Sequence, residues 1–155
     1  MQILSLRPAE LVDIGKLVLS YALALPVGWY REQEAHSIGV RTFPLVAAAS
    51  CGWVLVAVPL GHPDLAAQSR VIQGLVAGIG FIGGGAILKT DPTGSGVRGT
   101  ATAASIWNFG VVGAAVAQNR FILAVILAGL NFFSLRVLLP WKMKLDARKN
   151  QGDCD

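Results

Sequence analysis

Five long apolar runs, separated by short polar segments, constrain the fold of this 155-residue chain more than any other feature. Each run is close to the roughly 20 residues with which a helix crosses a bilayer. Only 14% of the residues are charged, compared with about 25% in a typical soluble domain. The sequence therefore predicts an all-α polytopic membrane protein, a bundle of about five transmembrane helices. The predicted spans are residues 11–30, 43–60, 71–88, 101–117 and 121–139.

The basic residues predict how these spans are oriented. With five spans, the Arg31–Arg41 loop, the Lys89–Arg98 loop and residues 142–155 lie on one side, and they hold most of the Lys and Arg residues. Cations accumulate on the cytoplasmic side of membrane proteins, so we expect the N-terminus outside and the C-terminus inside. Residues 1–141 then form one transmembrane domain, and residues 142–155 form a short, disordered cytoplasmic tail. The net charge of +4 is explained by this asymmetry and by anionic lipid, so no nucleic-acid partner is expected.

The third predicted span is rich in glycine and contains no charged residue from Val71 to Leu88. On a helix its glycines form two faces. One face holds Gly74, Gly78 and Gly85, and the other holds Gly80, Gly83 and Gly84. Small residues allow helices to approach closely in lipid, so these glycines predict a central helix packed between neighbours. The alternative is that they break the span into an unwound segment that lines a cavity.

Polar side chains inside the spans are few. Gln73, Asn108 and Asn131 are the most deeply placed of them, and they predict either hydrogen bonds between helices or a polar path. Ser105 belongs to a face of the fourth span that is small and mildly polar, and we expect this face to pack on the glycine-rich helix. The face consists of Ala101, Ser105, Asn108, Val112 and Ala115.

Charged residues are densest in the loop after the first span. This loop carries both charge signs and joins two spans tightly, which makes it a candidate functional loop. The alternative is a solvated loop with interfacial salt bridges. Arg98, in the loop after the third span, is expected on the same side of the membrane. The candidate residues of the two loops are Arg31, Glu32, Glu34, Arg41 and Arg98.

Catalytic and metal-binding residues are not indicated by the sequence. Proteins bind Mg²⁺ through carboxylates and retained waters, but residues 71–88 and 101–139 contain no Asp or Glu, so metal ligands are left unassigned. No nucleophile–base pattern is present. Gly78–Gly83 matches a dinucleotide fingerprint only in its glycines, because Arg98 and no acid lies about 20 positions on. We expect neither enzyme activity nor a cofactor.

Three blocks of sequence resemble the MgtC/SapB family of bacterial inner-membrane proteins. The first block is Arg31-Glu32 followed by Gly39-Val-Arg-Thr42, the second runs from Arg70 through the glycines to Leu88, and the third is Val97–Trp107. The resemblance covers roughly residues 28–139, the membrane domain. We expect the chain to lack the cytoplasmic C-terminal domain of longer members. Where the family commonly has an acidic residue before Arg31, this sequence has Tyr30.

The resemblance implies a multi-pass protein of the bacterial inner membrane, with a periplasmic N-terminus. Family members are associated with adaptation to low magnesium and with virulence. The resemblance therefore implies a regulatory factor in Mg²⁺ homeostasis that acts through other membrane proteins, the F-type ATP synthase among them. The alternative is a transporter of Mg²⁺ or another small ion, formed by a homo-oligomer. The lack of acidic residues inside the spans favours the regulatory interpretation.

Overall fold

The computed structural model of the protein describes residues 7–32, 39–57, 64–89 and 97–138. These residues form a bundle of five helices, and a two-residue antiparallel ribbon lies between the third and fourth helices. The elements are α1 (Pro8–Glu32), α2 (Thr42–Ala57), α3 (Leu65–Gly85), β1 (Leu88–Lys89), β2 (Val97–Arg98), α4 (Thr100–Ala117) and α5 (Phe121–Phe133), which continues as a π-helical turn (Ser134–Leu138).

The predicted all-α fold with five helices is confirmed. Three helices, α1, α3 and α4, are long and apolar enough to cross a membrane. The other two, α2 and α5, are shorter apolar helices. Their predicted spans end at residues 60 and 139, and those ends lie outside the described residues, as does the predicted tail of residues 142–155.

Helix α3 is continuous and begins earlier than predicted. Its first residue is Leu65, because the Asp64 side chain caps the helix and accepts hydrogen bonds from the backbone N–H groups of Ala66 and Ala67 at 2.9 and 3.1 Å. A carboxylate at this position satisfies donors that have no partner inside the helix. The helix then runs through its glycines to Gly85 without interruption. The alternative of an unwound glycine-rich segment is therefore wrong.

The two ends of the bundle hold different sets of polar groups. At one end, here called the Arg31 end, the last turn of α1 meets the first turn of α4, and Tyr30 of α1 packs edge-on against Phe132 of α5, with ring centroids 6.2 Å apart. At the other end, here called the Ala117 end, Lys16 Nζ of α1 donates a hydrogen bond to the Ala117 carbonyl at 3.1 Å. The end of α1, residues 39–41, the β1–β2 ribbon and the end of α5 therefore share one end of the bundle.

Helix α4 lies in the interior of the bundle. This helix contacts each of the other four, and 56% of its apolar stretch is buried, compared with 6% for α3. The glycine-rich helix is the third of five along the chain, but it lies at the edge of the bundle. The expectation of a central glycine-rich helix, packed on two sides within the chain, is thus corrected.

The glycines that allow close helix packing inside the chain are mostly in α4. A Cβ on Gly113 would overlap the Ala47 carbonyl oxygen of α2 and lie 3.0 Å from Cys51 N, and a Cβ on Gly110 would overlap Ile79 of α3. Of the six predicted packing glycines of α3, only Gly83 has a close neighbour, Ala103. Open space surrounds the other five, which are Gly74, Gly78, Gly80, Gly84 and Gly85.

A groove separates α3 from α2. It has a volume of about 640 Å³, and its apolar lining includes Gly74 and Gly78 on α3 and Leu45 and Trp53 on α2. Because glycine offers no side chain, the α3 wall of the groove is flat backbone over these positions. The edge helix is therefore attached mainly through its contact with α4.

Candidate functional site

Arg31 is the one charged side chain that is buried in the described part of the chain, at 8% exposure. It lies in the last turn of α1, and its Nη2 donates a hydrogen bond of 2.5 Å to Thr102 Oγ1 in the first turns of α4. Thr102 is itself only 3% exposed. A guanidinium held this way is a directional, permanently charged group in an apolar setting. It is the natural centre of a candidate site.

The chain around Arg31 folds tightly because two glycines allow close contacts. A Cβ on Gly28 would lie 2.9 Å from Val40 Cα, and a Cβ on Gly39 would overlap the Glu32 side chain. The Glu32 carboxylate accepts a hydrogen bond from the Val40 backbone N–H at 3.0 Å. Residues 39–41 therefore pack against the end of α1. The Glu32 side chain is exposed there, and the Arg31 side chain is buried in the bundle.

The start of α4 is held against the end of α3. Gly99, the residue before α4, has φ +89°, a left-handed conformation that side chains rarely adopt, and a Cβ there would overlap the Ala86 carbonyl oxygen. Beside it, Leu88 pairs with Arg98 and Lys89 with Val97 in the β1–β2 ribbon. This arrangement places Thr102 opposite Arg31.

The candidate loop residues are only partly brought together. Arg31 and Glu32 adjoin the start of α4, whereas Arg41 is exposed at the start of α2. Glu34 lies outside the described residues, and Arg98 is described only through its backbone in β2. Sequence reasoning missed Thr102, the buried partner of Arg31. Its position three residues before Ser105, on the same helical face, was the available signal.

Two of the three predicted intramembrane polar residues take part in hydrogen bonds between helices. Asn108 Nδ2 donates to the Leu127 carbonyl of α5 at 3.1 Å, and Ser105 Oγ lies 2.9 Å from Asn131 Oδ1. Gln73, in contrast, is exposed on α3. The expected docking of the Ser105 face on the glycine-rich helix is corrected, because these polar side chains turn toward α5. Packing on α3 instead involves Ala103 and Gly110.

Ser105 and Asn131 form a shared polar contact. The Ser105 hydroxyl carries one proton, and two acceptors, Ala101 O and Asn131 Oδ1, each lie 2.9 Å from its oxygen. The Asn131 Nδ2 is buried and has no hydrogen-bond partner among the described residues. Rotating the amide by half a turn lets Nδ2 donate to Ser105 while Ser105 donates to Ala101. The pair thus links α4 to α5 in either orientation.

Tyr30, which replaces the acidic residue of the family pattern, has a packing role. Its ring contacts Phe132 of α5, and the guanidinium of Arg136 lies 5.9 Å from the centroid of the same Phe132 ring. A cation over an aromatic face is attracted by the ring quadrupole. Arg136 therefore belongs to the Arg31 end, and the aromatic pair connects α1 to α5.

The electrostatics of the site disfavour a bare metal cation. Arg31 is positively charged and lies near the N-terminus of α4, where the helix dipole adds further positive potential. None of the carboxylates in the described ranges is buried, and no group of three His, Cys, Asp or Glu side chains in those ranges could hold a metal ion. The site can bind or position acceptor groups better than it can bind Mg²⁺.

The middle of the bundle is closed by apolar packing. Phe43 of α2 and Phe109 of α4 are fully buried, with ring centroids 5.6 Å apart. Val27 of α1 and Ile106 and Val112 of α4 fill the same core. Among the described residues, this apolar core therefore separates the polar contacts at the Arg31 end from those at the Ala117 end.

These features define an all-α bundle of the membrane type, whose helices are compatible with a bilayer and whose polar site lies at one end. A family model described as the MgtC family matches residues 17–143. The chain therefore belongs to the MgtC family.

Relatives from several bacteria support this membership. The protein SrpB of Synechococcus elongatus is 36% identical over 136 residues, which cover 82% of this chain and 73% of the relative. The protein MgtC of Salmonella typhimurium is 31% identical over 70% of this chain and 44% of its own length, and SapB of Bacillus subtilis is 26% identical over 83% and 57%. The chain thus spans about half the length of the last two. No solved structure matches the chain.

Proposed function

We propose that the chain is a multi-pass protein of the bacterial inner membrane that regulates Mg²⁺ homeostasis, or adaptation to low Mg²⁺, through contacts with other membrane proteins. The link to magnesium rests on membership of the MgtC family, which includes relatives named MgtC. The proposal assigns no catalysis to the chain. Its N-terminus lies in the periplasm and its C-terminus in the cytoplasm.

The regulatory part of the proposal is carried by one observation, the composition of the buried interior. Within the described residues the interior holds Arg31 and no carboxylate. Mg²⁺ loses its water reluctantly and is held by oxygen ligands, usually carboxylates. A positively charged site and a core closed by Phe43 and Phe109 oppose the passage of a divalent cation through one copy. These features support a protein that binds partners over one that conducts Mg²⁺ alone.

A transport assay separates this proposal from the transporter alternative. Purified protein in liposomes is expected to admit Mg²⁺ no faster than empty vesicles, as measured with an entrapped fluorescent Mg²⁺ indicator. Among the described residues, Glu32 is the candidate carboxylate ligand that adjoins Arg31 in sequence, and it is exposed. Mg²⁺ entry that exceeds the empty vesicles, is lost in Glu32→Ala and persists in the control Ile126→Ala would contradict the regulatory proposal. Ile126 is a suitable control because it lies on the exposed face of α5.

The partner is to be sought by crosslinking in membranes from cells grown at low and at high Mg²⁺. We expect the chain to capture subunits of the F-type ATP synthase more strongly at low Mg²⁺. Capture by wild type and by Glu32→Ala should be compared, because Glu32 is exposed at the Arg31 end. Failure to capture any membrane protein under both conditions would count against a regulatory role.

The orientation has its own test. Alkaline phosphatase, which is active only in the periplasm, is expected to be inactive when fused after Asp155 and active when inserted after Gly61. The reason is that most Lys and Arg residues flank the spans on the side that holds the C-terminus. The opposite pattern of activity would overturn the assignment.

A further inference from the structure

A cavity beside α4 carries amide and charged side chains at one end only. It has a volume of about 190 Å³ and lies between α3, α4 and α5. Most of its lining is apolar and comes from all three helices, for example Leu75 of α3, Val111 of α4 and Leu123 of α5. Among the described residues that line it, the amide and the charge belong to Gln118 and Arg120. The cavity is therefore apolar along its length and cationic at the Ala117 end.

The turn between α4 and α5 fixes Arg120 at the mouth of this cavity. Asn119 adopts φ 61°, and the backbone N–H groups of Asn119 and Arg120 donate hydrogen bonds to the Val116 and Ala115 carbonyls at 3.0 and 2.8 Å. The Arg120 side chain is exposed, and no carboxylate of the described residues forms a salt bridge with it. Its charge is thus available to an anion from outside the chain.

The length of the cavity corresponds to one leaflet of a bilayer. On α4 its lining extends from Trp107 to Gln118, 11 residues apart, which is about 16 Å along a helix. The hydrocarbon core of one leaflet is about 15 Å thick, half of the roughly 30 Å of a bilayer. Between these two residues, Gly110 and Ala114 line the cavity with little or no side chain. A narrow apolar chain can therefore lie against α4 over this length.

A phospholipid has the same distribution of polar and apolar groups. Its phosphate accepts paired hydrogen bonds from a guanidinium such as that of Arg120, and the Gln118 amide can donate another. Its acyl chain is apolar, narrow and one leaflet long. A transmembrane helix of a partner is about 10 Å wide with its side chains and crosses both leaflets. Such a helix does not fit a cavity of about 190 Å³ that ends near Trp107.

We infer that an anionic phospholipid occupies this cavity, with its phosphate on Arg120 and Gln118 and one acyl chain along α4 as far as Trp107. A net negative headgroup is preferred, because a choline headgroup brings its own cation close to Arg120. The larger α2–α3 groove has no charged residue among its described lining and supplies no such preference. The inference goes beyond the proposed regulatory function and requires only that the helices lie in a bilayer, in either orientation.

Tryptophan quenching by brominated lipids tests where the acyl chain lies. Two single-tryptophan proteins are compared in phosphatidylcholine vesicles, one that retains Trp107 and one that retains Trp53, with the other tryptophans replaced by Phe. Phosphatidylglycerol brominated in mid-chain is expected to quench Trp107 at a roughly fivefold lower mole fraction than brominated phosphatidylcholine, the preference that one arginine near an anionic lipid provides. Trp53, which lines the α2–α3 groove, should be quenched equally by both lipids.

Two arginine substitutions in the protein that retains Trp107 test the headgroup contact. Arg120→Gln is expected to abolish the preference for phosphatidylglycerol. Arg70→Gln is the matched control and should retain it, because Arg70 is also exposed and does not line the cavity. Equal quenching of Trp107 by the two lipids, or a preference that survives Arg120→Gln, would overturn the inference. Shielding of Trp107 from every brominated lipid would overturn it too, in favour of a protein partner if Trp53 is quenched, or of helices outside the bilayer if it is not.

Filling the cavity tests the acyl-chain contact separately. Ala114→Leu places a larger side chain in the cavity and is expected to remove the preference of Trp107 for phosphatidylglycerol. Ala104→Leu is its control, because Ala104 is exposed on the same face of α4, seven residues before Val111, and does not line the cavity. Melting temperatures equal to that of wild type separate loss of lipid from loss of folding. A preference unchanged in folded Ala114→Leu protein would refute this placement of the lipid.

Discussion

Gly113→Ala is expected to destabilise the folded bundle by about 3 kcal/mol, the upper range for inserting a methyl group into a packed core. The added carbon would overlap the Ala47 carbonyl oxygen and press on Cys51 N, which are backbone atoms of α2. Backbone atoms cannot rotate away as a side chain would. The two helices must therefore separate, and α2 and α4 form the most extensive contact in the bundle.

Gly78→Ala is the matched comparison, and its expected effect has the opposite sign. Open space surrounds Gly78 in a continuous helix, so alanine should leave stability unchanged or raise it by up to about 1 kcal/mol through helix propensity. Unfolding in mixed micelles titrated with denaturing detergent, followed by circular dichroism, measures both variants. Equal losses of stability in Gly113→Ala and Gly78→Ala would contradict the placement of α4 in the interior and α3 at the edge.

Thr102→Val is expected to lower stability by about 1–3 kcal/mol, the usual consequence of leaving a buried polar group without one of its partners. Valine keeps the shape of threonine but removes the hydroxyl that accepts from Arg31 Nη2. Both residues are more than nine-tenths buried, so water cannot readily replace the lost acceptor. The same titration measures the change.

Thr100→Val provides the control, because Thr100 is exposed in the same first turn of α4. Its effect should stay within about 0.5 kcal/mol, as is usual for surface substitutions. A double-mutant cycle with Arg31→Met then isolates the coupling between Arg31 and Thr102. A coupling energy near zero would indicate that the hydrogen bond between them contributes little to the fold.

The helices themselves could be predicted well because each depends on a local property, the length of an apolar run. The predicted fourth span of residues 101–117 differs from α4 by one residue at its start. The prediction placed the start of α3 six residues late, because Asp64 caps the helix ahead of the apolar run that begins at Val71. Capping depends on the conformation of one residue, which a hydropathy pattern does not resolve.

The packing partners could not be predicted in the same way. A glycine in an apolar span indicates close approach but does not identify the approaching helix. Gly113 and Gly78 look alike in the sequence, yet Gly113 meets α2 and Gly78 faces open space. Arg31 was assigned to a charged loop for a similar reason, because its burial depends on Thr102, 71 residues further along the chain.

The order of synthesis has a consequence for how this bundle is assembled. Chains are made from the N-terminus, and α4 contacts every other helix. Helices α1, α2 and α3 are therefore synthesised before α4, the helix on which they pack. Helices α1 and α2 contact each other and can pair early. Helix α3 must wait for α4, because its buried contacts, Ile79 with Gly110 and Gly83 with Ala103, are mostly made there. Helix α5 follows α4 along the chain and packs on it and on α1, so the bundle is complete only when α5 has also entered the bilayer.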